Sequence, residues 1–326
     1  MHKISIKLEQ VTDVMLGMLG LFAGVLHLVG LCVYAWYRKS VWNPGALLEV
    51  GLLLSDLGVA GLHPFSGSSA LSNRWIWGDA GCQVYSTAGF LFGTFQIISI
   101  PLVAFDRYIL ACKPSWRKHR TYKAYWKLFV ANFFFCLFWA ICPVLGWGSY
   151  GHTPVRISCT IDWTRNDASY ISFITAYTLL CYVIPFLAAM FFYHQIYGAI
   201  NKYSINVHWA PKGHHGKIIL GCLLPTNVGF SVYGIVCVYT IIDAPQNIPI
   251  AVNILPPVIA KLSGPFNALF YLFLNPVIWN LTKRLLGCRY DPALVETLAN
   301  ETANNTQRGS KTEQRPTVQL QSEDEF

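Results

Sequence analysis

Residues 128–147 read LFVANFFFCLFWAICPVLGW, twenty positions with no charge and no alternation of apolar and polar side chains. The hydrocarbon core of a bilayer takes a helix of about 20 such residues, because each backbone N–H and C=O must be paired within the segment. A membrane-spanning strand would instead alternate over about ten residues. The stretch therefore reads as a membrane-crossing helix. The same test finds seven spans in all: Val14 to Tyr37, Ala46 to Leu71, Cys82 to Leu110, Ala124 to Trp147, Ala168 to Tyr197, Lys217 to Ile242 and Ile250 to Leu274.

Composition points the same way. Only 12% of the 326 residues are charged and 54% are apolar, where soluble domains carry about 25% charged residues. There is too little charge to coat a soluble globule and too much apolar surface for an unfolded chain. The net charge of +8 does not make a nucleic-acid surface, because Lys and Arg fall in short blocks between apolar runs rather than in one patch. P-loop, dinucleotide and zinc-protease motifs are absent from the sequence, and His214-His215 reads as part of a solvated basic loop. No metal or nucleic acid is expected.

Lys and Arg set the orientation. With the N-terminus outside, 18 of the 24 fall on cytoplasmic segments, five outside and one, Lys261, within a span. The expected architecture is an all-α membrane protein, a seven-transmembrane helix bundle with its N-terminus extracellular and its C-terminus cytoplasmic. Its parts are an outer N-terminal segment (1–12), the bundle (13–274), a short amphipathic inner helix (275–287) and a disordered tail (288–326). The first span is too long for the apolar part of a cleavable signal, so none is expected. Asn275-Pro276 reads as a helix cap followed by Pro at the first helical position. Cys288, just beyond, is a lipidation candidate, with an unmodified thiol as the alternative.

Four features need explaining. Lys261 lies about eleven residues into the last span, where a cation costs at least ~2.5–3.5 kcal/mol. It either snorkels, pairs with Asp56 of the second span, or serves as a desolvated, neutral amine able to form a Schiff base with an aldehyde. Cys82 and Cys159 sit at the outer end of the third span and in the second outer loop, both facing an oxidising compartment, so a disulfide is expected. Asp106-Arg107-Tyr108 closes the third span at the inner boundary, with Arg107 expected to be partly buried and held by Asp106. Asp56 is a buried polar residue in LLLSDLG.

Seven spans, the Asp106-Arg107-Tyr108 triplet, the Cys82–Cys159 pair and Asp56 together resemble the rhodopsin-like family of G-protein-coupled receptors. Within it Lys261 resembles the retinal-binding lysine of opsins, and Lys261 to Asn267 keeps the opsin spacing. GDAGCQVY, GWGSY followed by CTIDW, and IAKLSGPFNALFY are closest in style to peropsins, neuropsins and retinal photoisomerase opsins. The resemblance implies 11-cis or all-trans retinal covalently linked to Lys261. The pocket would include Tyr85, Gly89 and Gly93 of the third helix, with Tyr182, Phe230 and Tyr233 as aromatic walls. Without the resemblance, Gly89 and Gly93 read equally well as a close-packing face between helices. The implied switch residues are Asp106, Arg107, Tyr108, Tyr193, Asn267 and Tyr271. The implied partners are a heterotrimeric G protein, the lipid bilayer of the plasma membrane, arrestin and a receptor kinase.

The sequence departs from the family at several points. Tyr85 and Thr153 stand where the two alternative carboxylate counterions would lie. A neutral Schiff base with near-ultraviolet absorption is therefore expected, unless Asp162 or Asp56 comes close. Phe230 and Val232 replace a Trp and a Pro of the sixth helix, and Ala268 replaces the Pro of the seventh-helix motif. Pro101 is expected to bend the third helix. The leading functional reading is a light-activated G-protein-coupled receptor. The alternatives are a retinal photoisomerase with weak or no signalling, and a receptor for a diffusible ligand.

Overall fold

The computed structural model describes residues 2–153, 156–162, 164–203, 229–232, 234–236, 239–241, 259–260, 262–269, 272–273 and 275–293, with backbone alone at 2–10 and 203. Helix α1 spans His2–Trp36, and a four-residue turn of helix, Arg38–Val41, leads to α2, Ala46–Leu71. Helix α3 is Gly78–Cys112 and, after a 3-10 turn at Pro114–His119, α4 is Tyr122–Ile141. A hairpin of β1 (Tyr150–His152) and β2 (Cys159–Ile161) pairs Gly151 with Thr160. Helix α5 is one rod made of Ala168–Tyr177, a π-helical Thr178–Val183 and Ile184–Tyr203. Helix α6 is the apolar Gly229–Ile241, described in part, α7 includes helical residues at 262–269, and α8 is Pro276–Leu285.

Among the described residues five helices are long and apolar enough to cross a membrane, namely α1 to α5. The expected sixth and seventh spans, 217–242 and 250–274, lie largely outside the described residues, as does the tail beyond Ala293. Two ends differ from expectation. Helix α1 begins at His2 rather than near Val14, because no Pro or Gly interrupts 2–16 and a formed helix gains one hydrogen bond for each residue added. Helix α4 stops at Ile141 rather than Trp147. Pro143 follows at once, and Gly146 and Gly148 take φ of +98° and +78°, a region closed to most side chains. Pro101 is buried within α3, whose helical run continues through it.

Caps form where the sequence offers them. Thr121 accepts from the Ala124 N–H at 3.2 Å and Asp167 from the Tyr170 N–H at 2.8 Å. Asn275 accepts from the N–H groups of Val277 and Ile278 at 3.2 and 3.3 Å, so the expected cap with Pro276 at the first position is observed.

Small residues let α1 and α2 touch closely: a Cβ on Gly17 would lie 3.6 Å from the Gly67 Cα, and one on Gly24 3.6 Å from the Ala60 Cβ. Helix α8 buries Val277, Ile278 and Leu281 against Val33, Tyr34 and Leu53 of α1 and α2. Its Lys283 and Arg284 lie in the last turn, which gives the expected amphipathic character. Phe134, Phe138, Leu145, Leu187 and Ile235 are exposed, as a surface bathed by lipid requires. At the opposite end from α8 the hairpin packs Tyr150 and Ile161 onto Trp139, Tyr170 and Phe173.

The Cys82–Cys159 disulfide forms as expected, with Cα atoms 5.5 Å apart across 77 residues, and ties the hairpin to the first turns of α3. Replacing both cysteines with Ser costs about 2–4 kcal/mol. The expected readout is a lower thermal midpoint of the detergent-solubilised chain, matched by chemical reduction of the unsubstituted protein.

Candidate functional site

Beneath the hairpin lies a cavity of about 160 Å³, walled by α2, α3 and α5 and closed by residues of α6 and α7. Of the residues expected there, Tyr85, Gly89, Gly93, Tyr182 and Phe230 all line it. Tyr233 and Lys261 lie outside the described residues. Ala260, the chain neighbour of Lys261, lines the cavity. The two glycines face space and ring edges rather than a neighbouring helix backbone. A Cβ on Gly93 would meet the Phe230 Cζ at 3.4 Å, and one on Gly89 the Leu62 Cδ1 at 3.8 Å. Among the described residues both glycines therefore line the cavity rather than a close contact between helix backbones.

The wall from α5 depends on its π turn. Pro185 has no N–H to return to the carbonyl of Cys181, and the Ile184 N–H instead bonds the Leu179 carbonyl, five residues back. This widened turn presents Tyr177, Thr178 and Tyr182 together to the cavity. Tyr177 is fixed by a 2.8 Å hydrogen bond between its hydroxyl and Thr94 of α3. Tyr177 and Thr94 were not anticipated from sequence, and the one local signal was Pro185.

The cavity has a polar end beneath the disulfide. Tyr85 and Thr153, where the resemblance would place carboxylates, both line it, and Ser158 Oγ lies 3.5 Å from the Tyr85 hydroxyl. No Asp or Glu lines the cavity among the described residues. Asp162 is instead turned to Thr164, accepting from its N–H at 3.1 Å and from its hydroxyl at 2.6 Å.

Asp56 is engaged below the cavity. It accepts from Gln96 of α3 and, at 3.3 Å, from Asn267 of α7, while His27 Nδ1 lies 4.0 Å away. His27 Nε2 lies 3.2 Å from the Gly264 carbonyl. Four helices thus meet at one carboxylate, and Gln96 belongs to both this node and the cavity lining.

At the far end of α3, Arg107 is 7% exposed, but Asp106 does not hold it. Residues i and i+1 of a helix do not face each other. Asp106 is bound by Arg120 at 2.7 and 3.0 Å and by the Tyr125 hydroxyl. Burial opposes charge on Arg120, yet the hydrogen bond and charge of Asp106 prevail and raise its pKa. Arg107 donates to the Tyr193 hydroxyl at 3.3 Å and pairs with Glu49 of α2 at 3.5 Å. Glu49 also accepts from Tyr34 of α1. Glu49 was missed because an acid in the first turn of a span reads as an ordinary boundary residue. Tyr108 packs its ring 5.4 Å from that of Phe192, Tyr271 lies outside the described residues, and Cys288 is exposed after α8.

A helical bundle with these nodes is that of a heptahelical receptor, and comparison with known proteins agrees. The family described as "7 transmembrane receptor (rhodopsin family)" matches residues 28–279, and the chain belongs to that family. Its relatives are opsins. The human visual pigment-like receptor peropsin is 29% identical over 266 residues, 79% of each chain. Mouse opsin-5 is 30% identical over 251 residues, 72% of this chain and 65% of that protein. The human RPE-retinal G protein-coupled receptor is 26% identical over 239 residues, 72% and 77% of the two chains. The fold matches the crystal structure of squid rhodopsin with a TM-score of 0.73, 19% identity and 91% of both chains covered.

Glu49 and Arg107 are expected to be coupled. In a double-mutant cycle with Glu49→Gln and Arg107→Gln, thermal unfolding of the purified chain returns an interaction energy of about 0.5–3 kcal/mol.

Proposed function

We propose that this opsin-like receptor is a light sensor that carries retinal on the Lys261 amine and signals to a heterotrimeric G protein. The carrying observation is the cavity itself. Gly89 and Gly93 leave room along α3, Tyr85, Tyr182 and Phe230 are its aromatic walls, and Ala260 brings α7 to it one residue before Lys261. An apolar, elongated group fits such a lining. Retinal, when bound, supplies an aldehyde for the amine and a light-driven change of shape.

The chain's own residues do the rest. The hairpin roof, held by Cys82–Cys159, limits water entry from one end. Phe230, packed 3.4 Å from where a Gly93 Cβ would stand, senses the shape of whatever fills the cavity. Gln96 passes a displacement to Asp56 and Asn267. Arg107, between Glu49 and Tyr193, changes partners when the helix ends separate. The N-terminus is assigned to the outside and the C-terminus to the cytoplasm of the plasma membrane, from the placement of Lys and Arg. Cys288 is the lipidation site, and arrestin and a receptor kinase are further partners on the inner face.

A second reading, photoisomerase first and receptor second, is favoured by Val232 and Ala268, which remove two prolines from the hinges of α6 and α7. One experiment separates the readings. The chain is supplied with 11-cis or all-trans retinal, illuminated, and assayed for extracted isomers and for nucleotide exchange on an added G protein. Light-dependent exchange supports the sensor. Conversion of all-trans to 11-cis with release and no exchange supports the isomerase. No adduct with either form overturns both and leaves a receptor for a diffusible ligand.

Lys261→Ala is expected to abolish the borohydride-trapped adduct, measured by mass spectrometry. Gly93→Leu, whose side chain grows into the cavity, is expected to lower adduct yield at least about tenfold. The adduct is expected to absorb in the near-ultraviolet at pH 7, since no carboxylate lines the described cavity.

A further inference from the structure

Beside the disulfide an imidazole lone pair faces sulfur rather than a donor. His152 and Cys159 are direct partners across the hairpin, so their side chains share one face. Among the described residues, Cys82 Sγ, Cys159 Sγ and a ring nitrogen of His152 are metal-ligating atoms that all lie within 4.8 Å of one another. His152 Nδ1 is 3.3 Å from Cys159 Sγ, and its Nε2 is 3.2 Å from Asp79 Oδ1 in the first turn of α3. The carboxylate places the ring N–H on Nε2 and the lone pair on Nδ1. That lone pair meets a disulfide sulfur, which carries no hydrogen to donate.

A carboxylate behind the ring and a lone pair ahead of it is the arrangement of a metal-bound histidine. Zinc holds Cys sulfur at about 2.3 Å and His nitrogen at about 2.0–2.1 Å in a tetrahedron, so its S–N edge is about 3.5 Å. The 3.3 Å between His152 Nδ1 and Cys159 Sγ is close to that length. A disulfide has no charge to offer a cation, whereas its reduced form supplies two thiolates, ligands that suit zinc. Cys82 and Cys159 are 1% and 5% exposed, while the His152 side chain is 32% exposed. The ring marks the side open to solvent, where water completes the fourth position.

We propose that reduction of Cys82–Cys159 turns this staple into a zinc site, with both thiolates and His152 Nδ1 as ligands and Asp79 orienting the ring. Two molecules of a small thiol supply the electrons. They leave joined as one disulfide, and their two protons pass to Cys82 and Cys159 Sγ. Zinc then displaces those two protons, and two Zn–S bonds and one Zn–N bond form. Oxidised or zinc-loaded, the site ties the hairpin to the start of α3; reduced and metal-free, it does not. Cys159 itself lines the cavity, so the metal keeps the roof in place once the covalent bond is lost. The proposal is independent of what fills the cavity.

The test uses the full chain in lipid nanodiscs, reduced with a phosphine and desalted without oxygen. Alkylation after unfolding, read by mass spectrometry, reports whether Cys82 and Cys159 are free. Cobalt(II) is the spectroscopic probe and zinc its competitor. The reduced chain is expected to show the thiolate charge-transfer and d–d bands of tetrahedral cobalt, bleached by zinc, and the oxidised chain to show neither. His152→Ala and Asp79→Asn, which keep both cysteines, are each expected to weaken zinc binding at least about tenfold. Zinc is also expected to recover part of the thermal midpoint lost on reduction, in the unsubstituted chain but not in His152→Ala. Absence of the cobalt bands after reduction overturns the proposal. Equal zinc affinity with and without His152 overturns it too, with other cysteines as the ligands. A disulfide that stays closed under excess phosphine in the folded chain excludes the site outright.

Discussion

Hydrocarbon offers no partner to a peptide N–H or C=O, and each one left unpaired there costs several kcal/mol. Helices α1 to α5 answer that constraint for the backbone. The same constraint then falls on every polar side chain the helices carry inward, and it gathers them into a few nodes. Asp56 binds Gln96 and Asn267, with His27 beside it. Asp106 binds Arg120 and Tyr125, and Glu49 binds Arg107 and Tyr34. Each node joins elements that apolar packing would hold in many registers. Dispersion is tolerant of sliding, whereas a buried ion pair or carboxamide bond is not.

The nodes and the cavity form a contiguous series along α3. Tyr85, Gly89 and Gly93 line the cavity, Gln96 touches both cavity and Asp56, and Arg107 ends the series. Eleven residues separate Gln96 from Arg107, a rise of about 16 Å. Between them Ile100 and Ala104 pack against Ala189 and Ile196 of α5. The cavity and the Arg107 node are thus joined through α3 and α5 where the two helices pack together.

The spans were legible because hydropathy follows directly from the bilayer's demand on the backbone. Their ends were not. The start of α1 at His2 follows from helix propagation beyond the apolar stretch, and the stop of α4 at Ile141 from Pro143 and two glycines at positive φ. In the cavity, Tyr85, Gly89, Gly93, Tyr182 and Phe230 were placed by resemblance, since nothing in their own spacing separates a ligand wall from ordinary core. Tyr177 was hidden because a π turn changes which residues share a face, and periodicity assumes the α repeat. The pairing of Asp106 with Arg107 misread adjacency in sequence as adjacency in space. Glu49 and Arg120, far from them in the chain, are the real partners.

Proline also decides where a packed helix can yield. A helix bends where its hydrogen-bond ladder is already broken, and proline is the usual cause. In α5 the ladder is broken by Pro185, beside the π turn that lines the cavity. Pro101 makes a second break in α3, between Gln96 and Arg107. Both breaks lie in the two helices that contact each other through Ile100, Ala104, Ala189 and Ile196, and Tyr193, the partner of Arg107, is two turns beyond Pro185. Both proline sites thus fall in the two helices whose packed faces lie between the cavity and Arg107.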